Sequence, residues 1–435
     1  MLANKNVFCN TPWYEFHIYW DGSFGICCQE SHKLYPSNQT YNVSNTSLMD
    51  WFNSEPARQF RLSMFGDKKP TSCSSCNIEE QHNGNSRRIR GSQKSVIFPI
   101  AFDPSFKQSP GFSHFEYSKN NLGFANTHPI DLHIDLGNFC NLACKMCNPR
   151  ASSTIASQHV KWNIQNDRQY LGQDWTRNTE VWDSFKQQLL DIPKLNNIHL
   201  MGGETLLTDR FEDLVDTMIA NQRFDIGFSF VTNGTVYDPK LIQKLKKFCR
   251  VGIEISIETI DERNSYIRQG TNTEEVLKNI DLYRKHCNNS SVTLTIRPAP
   301  SLLSIGTHIG LLEYTLEQGL LVKTNLCNEP TFLDVKYLPK NVKELYAEKY
   351  QQFLLKFDGR VLDSRISSSD PNNYRAVIKH HAQTCLDMLE TNTPIDSESQ
   401  WKILVDHCRR WDQVYNLDAR KLYPELNQLW DKYGY

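Results

Sequence analysis

From about residue 130 onward, short apolar runs alternate with helical patterns, and few folds accept that alternation. A strand followed by an amphipathic helix, repeated, requires a parallel sheet with its helices laid over it. Six such runs occur: Ile130 to Leu136, Ile198 to Met201, Ile226 to Val231, Val251 to Ile257, Val292 to Ile296 and Leu321 to Leu326. Between them, Phe211 to Ala220, Pro239 to Phe248 and Thr273 to His286 carry apolar residues three or four apart, as helices require. The expectation is an α/β fold, a partial (β/α)6 TIM-like barrel spanning about residues 129–335.

The flanks differ in texture. Residues 1–95 are rich in Cys, Asn, Ser and aromatics, with a strand-like run around Phe16 to Trp20, and suggest a small metal-stapled module. Residues 96–128, holding Pro99, Pro104 and Pro110, suggest a linker. Residues 336–435 return to helical patterns without strands, where Trp401, Trp411 and Trp430 are expected to anchor packing. Lys and Arg total 48 against 49 Asp and Glu, so no bulk positive field draws the chain to nucleic acid or an anionic membrane. No signal-like start and no stretch of roughly 20 apolar residues is present, which points to a cytoplasmic protein.

The cysteines are clustered. Cys140-Asn-Leu-Ala-Cys144-Lys-Met-Cys147 follows directly on the first apolar run, at the rim where parallel barrels gather their sites. Three thiols at this spacing suit a 4Fe–4S cluster with one iron left open to a ligand. A zinc loop is the alternative, although structural zinc usually takes four ligands and no fourth Cys or His is near. Cys9, Cys27, Cys28, Cys73 and Cys76 form a second group, with Cys73-Ser-Ser-Cys76 giving the paired spacing of a tetrahedral thiolate site. Either an iron–sulfur cluster or a zinc ribbon fits those thiols. Cys249, Cys287, Cys327, Cys385 and Cys408 stand singly and are expected in the core.

The Cys140, Cys144, Cys147 motif after a barrel's first strand resembles the radical S-adenosylmethionine (radical SAM) superfamily. Met201-Gly202-Gly203-Glu204 resembles the family's Gly-Gly-Glu motif, which implies that Gly202, Gly203 and Glu204 hold the amino group of the cofactor's methionine. Asn233 in Thr232-Asn-Gly234, Ser256 in Glu254-Ile-Ser-Ile-Glu258 and Arg268 in Tyr266-Ile-Arg268 match further cofactor contacts. Met146 matches a residue packed near the adenine. Thr205 stands where Pro is usual, and Glu258-Thr259 where Asp-Gly is usual. Cys9, Gly22 and Cys27, with Cys73 and Cys76, resemble the opening of a twitch or SPASM module. That resemblance implies one auxiliary 4Fe–4S cluster on Cys9, Cys27, Cys73 and Cys76, with Cys28 as the alternative to Cys27.

These resemblances imply an enzyme that reductively cleaves S-adenosylmethionine to a 5′-deoxyadenosyl radical and abstracts hydrogen from a small-molecule or peptide substrate. They also imply an external one-electron donor such as flavodoxin or ferredoxin. No catalytic acid or base is assigned. His133 and His199 fit hydrogen-bonded structural residues, and Asp135 either orients the cysteine loop or acts in catalysis. A noncatalytic zinc- or iron-binding adaptor with a degenerate barrel is the competing class. A zinc hydrolase lacks the necessary HExxH-type ligand set.

Overall fold

The computed structural model describes residues 4, 6–30, 41–83, 86–89, 110–172, 174–287, 290–325, 327, 329–356, 374–392, 394 and 396–435. Part of the expected linker, 96–109, lies outside the described residues, and its remainder begins with the helix Pro110–Asn120. The described strands are β1 (Glu15–Ile18), β2 (Phe24–Gly25), β3 (Asp131–Asp135), β4 (Ala143–Cys144), β5 (Asn197–Met201), β6 (Gly227–Thr232), β7 (Val251–Ile255), β8 (Arg268–Gln269), β9 (Val292–Ile296) and β10 (Leu321–Val322). All six expected barrel strands form, the last cut to two residues, and the result is a mixed α/β fold with a parallel sheet.

Two compact units emerge: Met1–Cys140 with Pro149–Phe230 and Asp238–Val251, and Asn141–Asn148 with Val231–Tyr237 and Gly252–Tyr435. In the first, the strand order is β6-β5-β3-β1-β2. Here the structure adds what the sequence did not suggest. Strand β1 from the cysteine-rich segment pairs in parallel with β3, Glu15 opposite Asp131 and Ile18 opposite Ile134. The amino-terminal segment therefore extends the sheet.

Period-two alternation then gives that sheet two unlike faces. Phe16, Ile18, Leu132, Ile134, Ile198, Leu200, Phe228 and Phe230 share one face and are all buried. Helices Thr179–Leu190 and Asp209–Ala220 supply Trp182, Phe185, Phe211 and Leu214 to the same core, and Phe211 meets Phe230 edge-on at 4.9 Å between ring centroids. The opposite face carries Glu15, His17, Asp131, His133, Asp135, Asn197, His199 and Ser229. Parallel sheets ordinarily bury apolar residues on both faces, so a polar and largely buried second face marks a place for chemistry.

Helix Glu55–Ser63 is pinned by Arg61, 1% exposed, whose guanidinium donates to the carbonyls of Pro12, Phe52 and Gly123. A buried cation of this kind is tolerable because each of its three nitrogens donates to an acceptor.

In the second unit β7, β9 and β10 are neighbours, and β4 pairs antiparallel with β8, placing Cys144 opposite Arg268. Helices Lys340–Leu355, Tyr374–Glu390 and Ser397–Tyr415 pack around one apolar cluster that includes Leu303, Tyr350, Cys385, Leu404 and Trp430. Trp411 and Trp430 are buried, and the Trp401 indole donates to the Tyr337 carbonyl at 2.5 Å. Cys287, Cys327, Cys385 and Cys408 lie in the core as expected, whereas Cys249 is exposed.

Candidate functional site

The segment leading into the central cysteines is fixed by its backbone. At the end of the first unit, the Cys140 amide donates to Ser153 Oγ at 3.3 Å and its carbonyl accepts from the Thr154 hydroxyl at 2.6 Å. The Gly202–Glu204 turn presses on the same stretch. Gly202 and Gly203 have positive φ, and a Cβ on Gly203 would stand 2.1 Å from the Phe139 carbonyl oxygen. The Glu204 amide donates to that oxygen at 2.8 Å, and its buried carboxylate accepts from the Leu206 amide at 3.2 Å. Close backbone approach is thus reason enough for both glycines.

Within the second unit, the Cys147 amide donates to the Cys144 carbonyl at 3.0 Å, and the Lys145 amide to that of Ile267 at 2.8 Å. Asn233 Nδ2 donates to Asn141 Oδ1 at 2.8 Å, while its own Oδ1 accepts from the Thr235 amide and hydroxyl. Asn233 therefore fastens the first residue of this loop segment to the turn after β6. Met146 is half-buried against the carboxy-terminal apolar cluster. Ser256 falls just past the end of β7 rather than within it, and its amide donates to the Thr232 carbonyl at 2.9 Å. Arg268 donates to the Glu258 carboxylate at 2.9 Å, and Glu258 also accepts from the Ala299 amide at 2.6 Å. Burial raises the Glu258 carboxyl while Arg268 works to lower it.

Lys145 occupies an unusual setting. Its ammonium lies 3.9 Å from the Tyr266 ring centroid and 4.3 Å from that of Trp411, buried and without a hydrogen-bond partner. Burial lowers its pKa to about 7.

In the amino-terminal set, burial raises the thiols of Cys9, Cys27, Cys73 and Cys76, and Cys9 acts electrostatically on each of the other three. Thiols that would repel one another as anions suit a cationic centre that replaces their protons. Helix Ser74–Asn83, which carries Cys76, is tied down at Glu80, whose carboxylate accepts from Arg88, Lys69 and Ser86. Cys28 keeps different company. A donor atom from each of Glu15, Cys28 and His133 lies within 4.8 Å of the other two.

Three histidines share one register on the polar face: His17 opposite His133, and His133 opposite His199. His17 Nε2 pairs with Asp135 at 3.0 Å, His199 Nδ1 with Ser229 Oγ at 2.7 Å, and His133 Nε2 with Arg87 at 2.7 Å. Sequence reasoning takes His133 and His199 singly and passes over His17 and Glu15. The register of β1 against β3 brings Glu15 and His17 to this face, and Arg87 reaches it through Glu15 and His133.

Residues 134–299 match the radical SAM superfamily, and residues 9–77 match SPASM, an iron–sulfur cluster-binding domain. The chain therefore carries a radical SAM domain, with a SPASM domain ahead of it in the sequence. Such domains take a 4Fe–4S cluster with S-adenosylmethionine, and auxiliary iron–sulfur clusters, respectively. Among curated proteins it is similar to the radical SAM cyclopropyl synthase TigE of Paramaledivibacter caminithermalis, 24% identical over 164 residues, 36% of this chain and 33% of the relative. Among solved structures it is similar to anSMEcpe with bound AdoMet, at 18% identity and a TM-score of 0.38 over 52% of this chain and 61% of that one. It also resembles Streptococcus suis SuiB bound to precursor peptide SuiA, at 12% identity and a TM-score of 0.34 over 73% and 66%. The chain thus spans about a third of the curated relative it matches. Among the described residues no helix is long and apolar enough to cross a membrane.

Proposed function

We propose that this protein is a radical SAM enzyme whose catalytic 4Fe–4S cluster is held by Cys140, Cys144 and Cys147, with an auxiliary cluster on Cys9, Cys27, Cys73 and Cys76. When bound, the catalytic cluster supplies one electron for reductive cleavage of S-adenosylmethionine to a 5′-deoxyadenosyl radical, which takes hydrogen from the substrate. The observation that carries the reading is the three-thiol motif placed directly after β3, with the Gly202–Glu204 turn packed on the backbone that leads into it.

The donor sets fit. Three thiols on one short loop leave one iron without a protein ligand, and the four amino-terminal thiols are the number a closed site needs. Glu204 offers a carboxylate to the cofactor's ammonium, and Gly202 and Gly203 let the backbone come close. Asn233 holds the loop, Ser256 and Arg268 offer polar contacts beyond β7, and Met146 offers an apolar one. Arg268 reaches a cofactor only while Glu258 positions its guanidinium. The domain order follows the module limits, 1–95 for the SPASM-like part, 129–335 for the barrel and 336–435 for the helical region. A peptide is the first substrate class to screen, since the SPASM resemblance implies it, and flavodoxin or ferredoxin is the donor class.

The test is anaerobic purification, iron and zinc analysis, then reduction with S-adenosylmethionine and chromatography for 5′-deoxyadenosine. About eight irons per chain are expected for two clusters, with 5′-deoxyadenosine formed. Replacing Cys140, Cys144 and Cys147 together by Ala should remove about half the iron and all of the product. Retained cleavage in that variant refutes the assignment, and zinc without cleavage favours the adaptor.

A further inference from the structure

We propose that Glu15, Cys28 and His133 form a mononuclear site for a borderline-soft divalent cation such as zinc, distinct from both cysteine clusters.

The three residues come from separate parts of the first unit, and their donor atoms lie within 4.8 Å of one another on the polar face of the sheet. One sulfur, one imidazole nitrogen and one carboxylate oxygen are the mixed donors that zinc accepts, and three protein ligands leave a position open. Donors around a tetrahedral zinc stand about 3.5 Å apart, so an ion would draw them together by roughly an ångström. Glu15 and His133 are buried, at 7% and 5% exposure, on adjacent parallel strands whose pairing fixes their backbones.

Glu15 supplies the independent sign of a missing partner. Its Oε2 accepts from Arg87, but its Oε1 is buried, has no hydrogen bond, and lies 3.8 Å from His133 Nε2. A carboxylate oxygen in that state costs free energy unless something cationic or donating meets it.

Arg87 is the cation now nearest. Its guanidinium spans Glu15 and His133, and the charges of Cys28, Glu15 and Asp131 favour its ionised form against the cost of burial. One guanidinium faces two acids in Glu15 and Cys28. An entering ion takes His133 Nε2 from Arg87, while Arg87 keeps Glu15 Oε2 and so orients the carboxylate, the usual task of a group behind a metal ligand. Cys28 is thereby released from the Cys9, Cys27, Cys73, Cys76 set, which already has the four thiols a closed site needs. The open coordination position points to a metal-bound substrate group, of the class of thiolates, carboxylates or imidazoles.

The test uses the anaerobically purified, cluster-loaded chain grown with zinc, with zinc and iron measured after exhaustive dialysis and the zinc edge examined by X-ray absorption. Zinc at about one per chain is expected, with one sulfur and otherwise nitrogen or oxygen neighbours. In Glu15→Gln and in the near-isosteric Cys28→Ser, zinc affinity should fall at least tenfold while iron content stays at the wild-type value. Should one variant fail to accumulate folded, the other carries the comparison. Absence of zinc from the wild type, a four-sulfur zinc shell, or equal zinc in wild type and variant each overturns the site. None of these readouts requires cleavage of S-adenosylmethionine, so failure here is separable from failure of the proposed activity.

Discussion

The amide of Glu204 donates to the carbonyl oxygen of Phe139 at 2.8 Å, so the turn after β5 is fastened to the backbone immediately ahead of Cys140. The contact exists because Gly203 has no side chain: at φ +52° a Cβ would be 2.1 Å from that same oxygen. Gly203→Ala should cost roughly 2–4 kcal/mol in urea unfolding, the sum of left-handed strain and displaced backbone. Gly172, at φ +67° with open space around it, is the control, and its Ala variant should lose only about 1 kcal/mol. Iron retention and 5′-deoxyadenosine formation should fall in the Gly203 variant and hold in the Gly172 variant. Equal losses would show that φ alone, without the contact, governs both positions.

Asn233 presents a second fastening, through Asn141. If the bond contributes in solution, Asn233→Ala and Asn141→Ala will not be additive, with a coupling on the order of 1 kcal/mol in a double-mutant cycle. Additive losses would mean that each residue acts only through its other contacts, chiefly those to Thr235.

The barrel strands were legible because their signal is local: Ile130 to Leu136 alternates, and each run ends in a turn. Strand β1 was legible as a strand-like run around Phe16 to Trp20, but its place in the sheet was not, since Glu15-Phe-His-Ile is four residues long and its partner lies more than a hundred positions away. Nothing in a short run announces a long-range parallel partner, and the pairing alone decides which side chains share a face. The polar face followed the same rule. His17, His133 and His199 are three ordinary histidines in the sequence and become one row only through register. Arg268 shows the converse, where resemblance named the residue and the structure supplied its partner, Glu258, at the very position noted as a departure. Cys27 and Cys28 could not be separated by spacing, because adjacent residues differ in direction rather than in position.

Glu80 gives a pH dependence of known sign. Burial works to raise its carboxyl, but hydrogen bonds from Arg88, Lys69 and Ser86 overcome that and hold it at about 2, below the ordinary value of 4.5. The unfolded chain therefore binds the proton first as the pH falls, and the stability Glu80 contributes is present above 4.5 and is lost toward 2. Wild type should melt higher than Glu80→Gln by a constant margin above about pH 5, a margin that narrows as the pH drops. A margin independent of pH between 5 and 3, in thermal melts followed by circular dichroism, would place the stabilisation elsewhere.

Lys145 provides the opposite slope. Burial against Tyr266 and Trp411 lowers its pKa to about 7 from 10.5, so between those values the unfolded chain holds a proton that the folded chain has released. Stability from this residue must rise with pH across that window and stay at its lowest below it. Lys145→Met keeps the length of the side chain and removes the charge. It should therefore stabilise the fold on the order of 3 kcal/mol at pH 6, with the gain shrinking as the pH is raised toward 9. Comparison of the two proteins at each pH removes the contribution of the buried cysteines other than Cys408, whose thiol the Lys145 charge itself works to lower. If the variant is destabilised at pH 6, the ammonium between the two rings is a net attraction that outweighs its lost hydration, and the ring pair holds the cysteine loop through the charge itself.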